Sequence, residues 1–225
     1  MEAFGLNSPT GVEISELYDS MSQYPTHISS PEYKKYITQQ RDVEAKESDY
    51  KWSAGDTIRT AIGQSYNNYT SALMSKYVAT LANGGTRYSM HFLNKITTND
   101  GKIEEEYQPK VESKIEIKKE NLDAIFRGMF LVTTGPRGTL RSYFKDFPVN
   151  VAAKSGTAQQ SSKRSEHTTF VAFAPLEDPQ ISVCVIIPFG NGTTGPAPKV
   201  AKAAISEYLK LDYEPELKSY DTLLH

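Results

Sequence analysis

The chain has 225 residues, and its 25 lysine and arginine and 27 aspartate and glutamate residues leave a formal net charge of -2. This length suits one domain, or one and a half, with a sizeable buried core. The near-neutral charge excludes the strongly basic surface of a nucleic-acid-binding protein. No apolar run approaches the roughly 18 residues of a membrane span, and the first residues lack the pattern of a signal peptide. A single cysteine, Cys184, excludes an intramolecular disulfide framework and a multi-cysteine zinc site.

The start of the chain and its histidines set two further expectations. Residues 1–6 are mostly apolar, so the sequence begins as if within a larger protein, with no signal or membrane anchor of its own. The four histidines are His27, His91, His167 and His225. Because they do not show the spacing of metal ligands, we expect neither a metal nor a cofactor.

The two most polar segments lie near the beginning and at the end of the chain. Residues 15–54 carry scattered serine, glutamate, lysine and tyrosine side chains without a sustained period. This pattern predicts a loop-rich insertion of long loops with one short helix. Residues 211–225 are predicted to form a polar tail.

Between these segments the first clear elements are a helix and a hairpin. Thr70 or Ser71 begins a helix in which Leu73, Tyr77 and Leu81 recur every four residues, and Gly84-Gly85 ends it. Extended runs at 87–96 and 102–108 flank the turn Asn99-Asp100-Gly101, which predicts a β-hairpin.

The second half of the chain predicts a helix, three strands and a final helix. The periodic apolar face of residues 119–133 predicts the first helix. Strands are predicted at 149–158, 168–174 and 181–188, and a last helix at 200–209. The short connections between the strands suit antiparallel neighbours. The order predicts an α+β fold in which helices cover an antiparallel sheet.

The most informative pattern is Lys154-Ser155-Gly156-Thr157-Ala158, which interrupts a predicted strand. Glycine weakens a strand interior unless a ligand or another backbone approaches closely. At a strand edge that faces a cleft, Lys154 would supply a cation for a carboxylate, and Ser155 and Thr157 would supply hydroxyl donors. Gly156 would leave room for an acyl group, and the Thr157 backbone N–H would face a developing oxyanion. For Lys-Ser-Gly alone, a solvent-exposed strand with an ordinary bulge is the better explanation.

Other segments accompany this strand in an order that indicates a family. Before it come Phe4-Gly5-Leu6, Thr10-Gly11-Val12-Glu13, Gly55-Asp56-Thr57, Ala61-Ile62-Gly63-Gln64, Thr70 and Leu81-Ala82-Asn83-Gly84-Gly85. Around and after it come Gly128-Met129, Gly138-Thr139, residues 151–159 and 169–175, and Asp178-Pro179. Together, over residues 4–210, these blocks resemble the C-terminal part of the transpeptidase domain of penicillin-binding proteins, most closely the class B, monofunctional enzymes.

This resemblance implies a fold and an activity. The fold would be that of serine β-lactamases and transpeptidases, here incomplete, with residues 1–225 forming the C-terminal portion of one transpeptidase domain. The enzyme would cross-link peptidoglycan stem peptides by serine acyl transfer, would be acylated by β-lactams, and would use no cofactor. Its parent protein would work at the outer face of the cytoplasmic membrane, on an N-terminal anchor that this chain lacks.

The resemblance also assigns roles to the Lys154 strand. The residues Lys154, Ser155, Gly156 and Thr157 would form the substrate-binding site, where Lys154, Ser155 and Thr157 bind the terminal carboxylate of the stem peptide. The Thr157 backbone N–H would be one donor of the oxyanion hole. The backbone N–H of the nucleophilic serine would be the other donor.

The nucleophile motif is where the chain departs from the family, which uses three motifs: S-x-x-K, S-x-N and K-[ST]-G. The first two precede the Phe-Gly-x stretch in the family, so we expect this chain to begin after them. Ser48-x-x-Lys51 and Ser65-x-Asn67 fit the two missing patterns. However, the segment after Lys51 breaks at Gly55, and Ser48 and Ser65 are only 17 positions apart, too close for the intervening helices of the family. We therefore interpret both matches as polar loops.

Three further features have ordinary structural explanations. Gly190-Asn191-Gly192-Thr193-Thr194-Gly195 fits a dinucleotide fingerprint, but prolines crowd the following helix and no later strand completes the unit. Cys184 lies in an apolar run, which favours a core thiol over a reactive one. Arg137 and Arg141, in the loop before the Lys154 strand, are candidates for the cleft.

Two hypotheses follow. The first is a piece of a peptidoglycan D,D-transpeptidase that is inactive alone because it lacks the nucleophile. The second is a non-catalytic, truncated or split module that associates with a partner such as an upstream half of the same domain. In either case half a sheet would leave apolar surface and a strand edge uncovered, so we expect poor solubility.

Overall fold

The structure is a computed structural model that describes residues 1–14, 28–158, 165–190 and 195–213. It divides into two compact units. The first comprises Met1–Thr80 and Gly85–Glu116, and the second comprises Leu81–Gly84 and Ile117–His225. Among the described residues, no helix combines the length and the apolar character needed to cross a membrane.

The first unit is mainly helical. After a short 3-10 helix (Glu2–Phe4) it contains α1 (Pro31–Arg41), α2 (Glu47–Tyr50), α3 (Ala54–Ala61) and most of α4 (Ser71–Ala82). The helix predicted from Thr70 or Ser71 is confirmed as α4, and the Thr70 hydroxyl accepts the Leu73 N–H at 3.2 Å. Gly84 and Gly85 follow with left-handed φ angles of 81° and 105°.

The described part of the polar segment, residues 28–54, is more helical than predicted. Ser30 caps α1 by accepting the Tyr33 N–H at 3.1 Å, and Pro31 occupies the first helical position. The buried residues of α1 are Lys34 and Ile37. Because one of its two core contacts is a lysine, α1 lacks the apolar stripe by which a helix is recognised in a sequence.

Two antiparallel strand pairs complete the first unit. β1 (Thr86–Tyr88) pairs with β4 (Val111–Lys114), and β2 (Lys95–Thr97) pairs with β3 (Ile103–Glu106). The second pair confirms the predicted hairpin. The extended run predicted at 87–96 is interrupted, since residues 89–94 form a loop in which the Glu13 carboxylate accepts the Phe92 N–H at 2.8 Å. β4 escaped prediction because Glu112, Ser113 and Lys114 leave it almost without apolar alternation.

The second unit is built on a three-stranded antiparallel sheet. In chain order it contains α5 (Lys119–Thr134), α6 (Arg141–Phe144), β5 (Ala152–Ala158), β6 (His167–Ala174), β7 (Ile181–Ile187) and α7 (Ala197–Leu209). The strands lie in the order β5-β6-β7. The three predicted strands and both predicted helices are therefore confirmed, with α7 beginning three residues earlier than expected, at Ala197.

Helices cover both faces of this sheet, as the predicted α+β fold requires. On one face Ala153 and Phe170 belong to a buried cluster with Ala201 and Ile205 of α7. Alanines on both elements let the helix approach the sheet closely. On the opposite face the ring of Phe173 lies 4.9 Å from that of Phe126 in α5.

Candidate active site

The Lys-Ser-Gly-Thr segment lies in a regular strand at the edge of the second unit's sheet. Within the described ranges β5 pairs only with β6. Its register is continuous, with Lys154 opposite Val171 and Thr157 opposite Thr168. The segment therefore contains no bulge, and Ser155 is 7% exposed, so the explanation as an ordinary exposed strand does not hold.

Two hydrogen bonds fix the direction of the backbone groups along β5. The Asn150 carbonyl accepts the Leu176 N–H at 2.9 Å, on the side of β6. The Val151 carbonyl accepts the hydroxyl of Thr133 in α5 at 2.7 Å, on the other side. The N–H and C=O of one strand residue point the same way, and the direction alternates from residue to residue. The backbone groups of Ser155 and Thr157 are thus directed away from β6, toward the outer edge of the sheet.

The outward backbone groups and the Lys154 ammonium form a polar strip along the same edge. Lys154 is exposed, and its ammonium donates to the carbonyl of Ser155, which points outward. Ser155 lies across from Phe170, on the face packed against α7. A Cβ placed on Gly156 would be 3.5 Å from the Thr169 Cβ, an ordinary contact, so the sheet itself does not require glycine there. The missing side chain leaves space beside the edge.

This strip has the chemistry of an anion-binding site. One ammonium, hydroxyl groups and outward backbone N–H groups occur within four consecutive residues, Lys154 to Thr157. Such donors bind carboxylates and stabilise oxyanions. Among the described residues, no group of three or more histidine, cysteine, aspartate or glutamate side chains is arranged to hold a metal ion.

The first S-x-x-K match lies on a surface turn of the first unit. Ser48 and Lys51 are exposed, and α2, which carries Ser48, has four residues. The Ser48 hydroxyl donates to the neighbouring Asp49 carboxylate at 3.2 Å. In the described part of the chain no apolar helix directly follows this serine, which agrees with its interpretation as a polar surface segment.

The asparagine of the S-x-N match connects neighbouring segments of the same unit by hydrogen bonds. The Asn67 side-chain oxygen accepts the Ser29 N–H and the Tyr69 hydroxyl, each at 2.9 Å, and its amide donates to the Gln64 carbonyl at 3.2 Å. Ser65 has a left-handed φ of 72°. Because both the oxygen and the amide nitrogen of the Asn67 side chain already bond to the protein, this residue has a structural role in holding the loop.

A third S-x-x-K match, Ser142-Tyr143-Phe144-Lys145, was missed from the sequence. It coincides with α6, which has four residues. Phe144 is buried in the core, whereas Ser142 and Lys145 are exposed. The spacing that marks the motif therefore arises here from a short helix anchored by its phenylalanine.

The remaining sequence features lie elsewhere in the second unit. The glycine-rich stretch 190–195 falls largely outside the described residues. Cys184 is half-buried opposite Val171 in the sheet, and its partial burial raises the pKa of its thiol to about 11, which favours the predicted structural thiol over a reactive one. Arg141 is exposed on α6, and Arg137 lines a groove at the end of α5.

Comparison with known proteins gives consistent matches. The model of the penicillin-binding protein transpeptidase domain matches residues 4–207. The chain is 30% identical over 225 residues to the peptidoglycan D,D-transpeptidase MrdA of Escherichia coli (strain K12), covering 94% of this chain and 32% of that protein. It is 31% identical over 176 residues to penicillin-binding protein 2B of Streptococcus pneumoniae (strain D39), covering 73% of this chain and 25% of that protein.

Solved structures show the same similarity. The structure of Pseudomonas aeruginosa PBP2 in complex with WCK 5153 matches 86% of this chain and 40% of its own, with a TM-score of 0.63 and 31% identity. Penicillin-binding protein 2B from Streptococcus pneumoniae (strain R6) shares the fold, with a TM-score of 0.70 at 24% identity over 95% of this chain and 32% of its own. The chain spans about a quarter to a third of the length of the curated relatives it matches. This chain belongs to the penicillin-binding protein transpeptidase domain family.

Proposed function

We propose that this chain is the C-terminal part of a class B peptidoglycan D,D-transpeptidase and that it supplies the carboxylate-binding strand of the active site. The observation that carries this proposal is the outward direction of the Ser155 and Thr157 backbone groups, on the edge that also holds the Lys154 ammonium. Membership in the transpeptidase family supports the same assignment. Stem peptides and β-lactams are the ligands we propose.

In the proposed reaction a serine outside these residues attacks the penultimate D-Ala carbonyl of a stem peptide. The terminal D-Ala leaves, and the acyl group passes from the serine to an amine of a second stem peptide. Lys154, Ser155 and Thr157 bind the terminal carboxylate, which holds the scissile carbonyl beside the strand edge. Adjacent strand residues face opposite ways, so Lys154 reaches this edge only because its long side chain bends around the strand.

The Thr157 backbone N–H is the proposed oxyanion donor of this chain. It donates to the carbonyl oxygen as negative charge develops on it, and it needs no side chain to do so. Removing one such donor from an oxyanion hole lowers kcat roughly 10²- to 10³-fold. The nucleophile's own N–H supplies the second donor, so neither polypeptide segment forms the hole alone.

A chimera tests this proposal. The chain would replace the aligned third of Escherichia coli MrdA, and labelled penicillin would report acylation of the serine contributed by the rest of that protein. We expect a folded chimera to be acylated and a Lys154→Ala chimera to be acylated at least about tenfold more slowly, because the carboxylate loses its cation. Lys199→Ala, at an exposed lysine of α7, is the control. A folded chimera without acylation would favour the alternative of a non-catalytic module.

We also propose the setting in which the parent protein works. A transpeptidase that acts on peptidoglycan must meet its substrate at the outer face of the cytoplasmic membrane. An upstream half of the same domain is the partner we propose for this chain. A related structure shows penicillin-binding protein PBP2 of Helicobacter pylori in complex with MreC.

A further inference from the structure

The turn that follows β7 is held by a histidine at the start of β6. The Phe189 N–H donates to the Nδ1 atom of His167 at 3.2 Å. The ring centroids of the two residues lie 4.7 Å apart, with an angle of 41° between the ring planes. His167 is half-buried, so solvent protons reach its imidazole. The contact lies wholly within the second unit.

The backbone of this turn is strained, so the turn needs contacts that hold it. Phe189 has a left-handed φ of 56°, a conformation that bulky side chains rarely adopt. The next N–H, of Gly190, donates to the Ile187 carbonyl at 3.2 Å. A Cβ placed on Gly190 would lie only 2.8 Å from the Thr168 Oγ1 atom. The turn therefore packs closely on two consecutive residues of β6, His167 and Thr168.

The same two residues connect the turn to the strand that carries the Lys-Ser-Gly-Thr segment. Thr168 is fully buried and pairs with Thr157 of β5 on one side and with Ile187 of β7 on the other. His167 pairs with Ala158, the last residue of β5. The turn therefore closes the sheet at the register position of Thr157.

The hydrogen bond from Phe189 requires a neutral imidazole. Nδ1 accepts an N–H only while it carries no proton, so the single ring proton of His167 is on Nε2. After protonation both ring nitrogens are donors, and the Nδ1–H would face the Phe189 N–H. A cationic ring is attracted to an aromatic face, but this attraction is weak at an exposed site. The loss of the acceptor therefore decides how the turn responds to acid.

Few charged groups face His167 from the surrounding elements. Glu166 precedes it in the chain, and β7 carries no charged residue. Lys154 of β5 lies on the same face of the sheet, but it pairs with Val171, four residues and roughly 13 Å further along β6. The charged residues of α5, the helix on this face, are Lys119, Glu120, Asp123 and Arg127. Among the described residues, none of these groups forms an ion pair with His167.

We propose that His167 is a proton-sensitive clamp of the turn at Phe189-Gly190. The neutral imidazole holds the strained turn on the sheet, and protonation, which for histidine falls between about pH 8 and pH 5, releases it. The sign follows from the acceptor role of Nδ1. The clamp is complete where the imidazole is neutral and is lost as the pH falls. It acts within the second unit and does not depend on the proposed function.

Nuclear magnetic resonance of the ¹⁵N-labelled 225-residue chain tests the clamp directly. The observable is the protection factor of the Phe189 amide, which is its intrinsic exchange rate divided by its measured rate at the same pH. We expect this factor to fall at least about tenfold from pH 8 to pH 5, while that of Phe170 in the middle of β6 stays nearly constant. The imidazole nitrogen spectrum at pH 8 should place the proton on Nε2. A constant protection factor for Phe189, or a proton on Nδ1 at pH 8, would overturn the proposal.

An asparagine variant identifies the titrating group. In His167→Asn the side-chain oxygen takes the place of Nδ1 and does not titrate, so the protection of Phe189 at pH 5 should remain within about twofold of its value at pH 8. His91→Asn, at a histidine of the first unit, is the matched control and should retain the pH dependence of the parent chain. A His167→Asn chain that loses the protection of Phe189 at pH 5 as the parent does would contradict the proposal. The titration of the parent chain decides the question even if this substitution impairs folding.

Discussion

The ammonium of Lys34 lies 2.9 Å from the carboxylate of Asp56, and the two side chains are 10% and 2% exposed. The Ser53 N–H and hydroxyl donate to the same carboxylate oxygen, and Arg59 binds the other at 2.8 Å. A buried ion pair is stable only where further hydrogen bonds satisfy both charges. Gly55-Asp56-Thr57 contributes to the family resemblance, and here its aspartate has a structural role: it joins α1 to α3.

This cluster predicts how the first unit responds to acid. The Lys34 ammonium, followed by the Ser53 side chain and N–H, holds the pKa of Asp56 far below its ordinary value of 3.8. A carboxyl whose pKa is depressed by folding stabilises the folded state above its unfolded pKa. The stabilisation is then lost as the pH falls below about 4. We expect the melting temperature of the first unit to be constant from pH 7 to 5 and to fall steeply below pH 4.

Asp56→Asn is the variant that isolates this contribution. It leaves Lys34 buried without its counter-charge, so the melting temperature at pH 7 should drop by several degrees. The residual dependence on pH below 4 should be flatter than in the parent chain. Asp42→Asn, an exposed aspartate at the end of α1, is the control. A steep acid transition that survives in Asp56→Asn would assign the acid sensitivity to other groups.

The hydrogen bond between Thr133 of α5 and the residue before β5 should contribute measurably to the stability of the second unit. The Thr133 side chain is fully buried, and its hydroxyl donates to the Val151 carbonyl at 2.7 Å. Thr133→Val keeps the shape and removes the donor, so the carbonyl is left unsatisfied. We expect the free energy of unfolding in urea to fall by about 1–3 kcal/mol. Thr133→Ser retains the donor and should lose less. Unchanged stability of the valine variant would show that this bond contributes nothing.

The contacts of Lys202 with aromatic rings should also stabilise the second unit. The Lys202 ammonium lies 4.5 Å from the ring centroid of Tyr213 and 5.4 Å from that of Phe147, and it donates to the Tyr143 carbonyl at 2.6 Å. Lys202→Met retains most of the apolar stem and removes the cation. We expect a loss of about 1–2 kcal/mol in the free energy of unfolding, measured by urea titration of tyrosine fluorescence.

The control for this contact keeps the charge. Lys202→Arg retains a cation that stacks on aromatic rings, so it should be more stable than Lys202→Met. If the methionine variant is as stable as the parent chain, the aromatic rings and not the cation hold α7 to the loop after α6.

The thiol of Cys184 should be unreactive in the folded chain. Burial raises its pKa to about 11, so almost none of it is thiolate at pH 8. We expect iodoacetamide at pH 8 to alkylate the folded chain roughly two orders of magnitude more slowly than the urea-unfolded chain, whose thiol has an ordinary pKa near 8.5. Equal rates, followed by mass spectrometry, would place Cys184 in an open and reactive environment.

The sheet of the second unit and the helices α4, α5 and α7 could be predicted because their apolar residues recur with a clear period. β5 is the instructive case. Its valines and alanines predict a strand, and its lysine and glycine predict an edge. Which backbone groups point outward could not be predicted, because that direction depends on the register of β5 against β6, in which Ala152 pairs with Phe173.

The first unit was less predictable, because polar contacts hold much of it together. The buried residues of α1 include Lys34, whose partner Asp56 is 22 positions away. Asn67 joins three backbone segments through one side chain. Neither arrangement has an apolar period, so its sequence resembles a surface loop.

We propose that this chain contributes the carboxylate- and oxyanion-binding strand and that another polypeptide segment contributes the nucleophilic serine. The most direct test is intact mass spectrometry of the purified 225-residue chain after incubation with labelled penicillin. We predict an unmodified mass, because Ser48 and Ser142 lie on exposed four-residue helices without an apolar helix behind them. A covalent penicillin adduct on Ser48, Ser65 or Ser142 would show that the chain carries its own nucleophile.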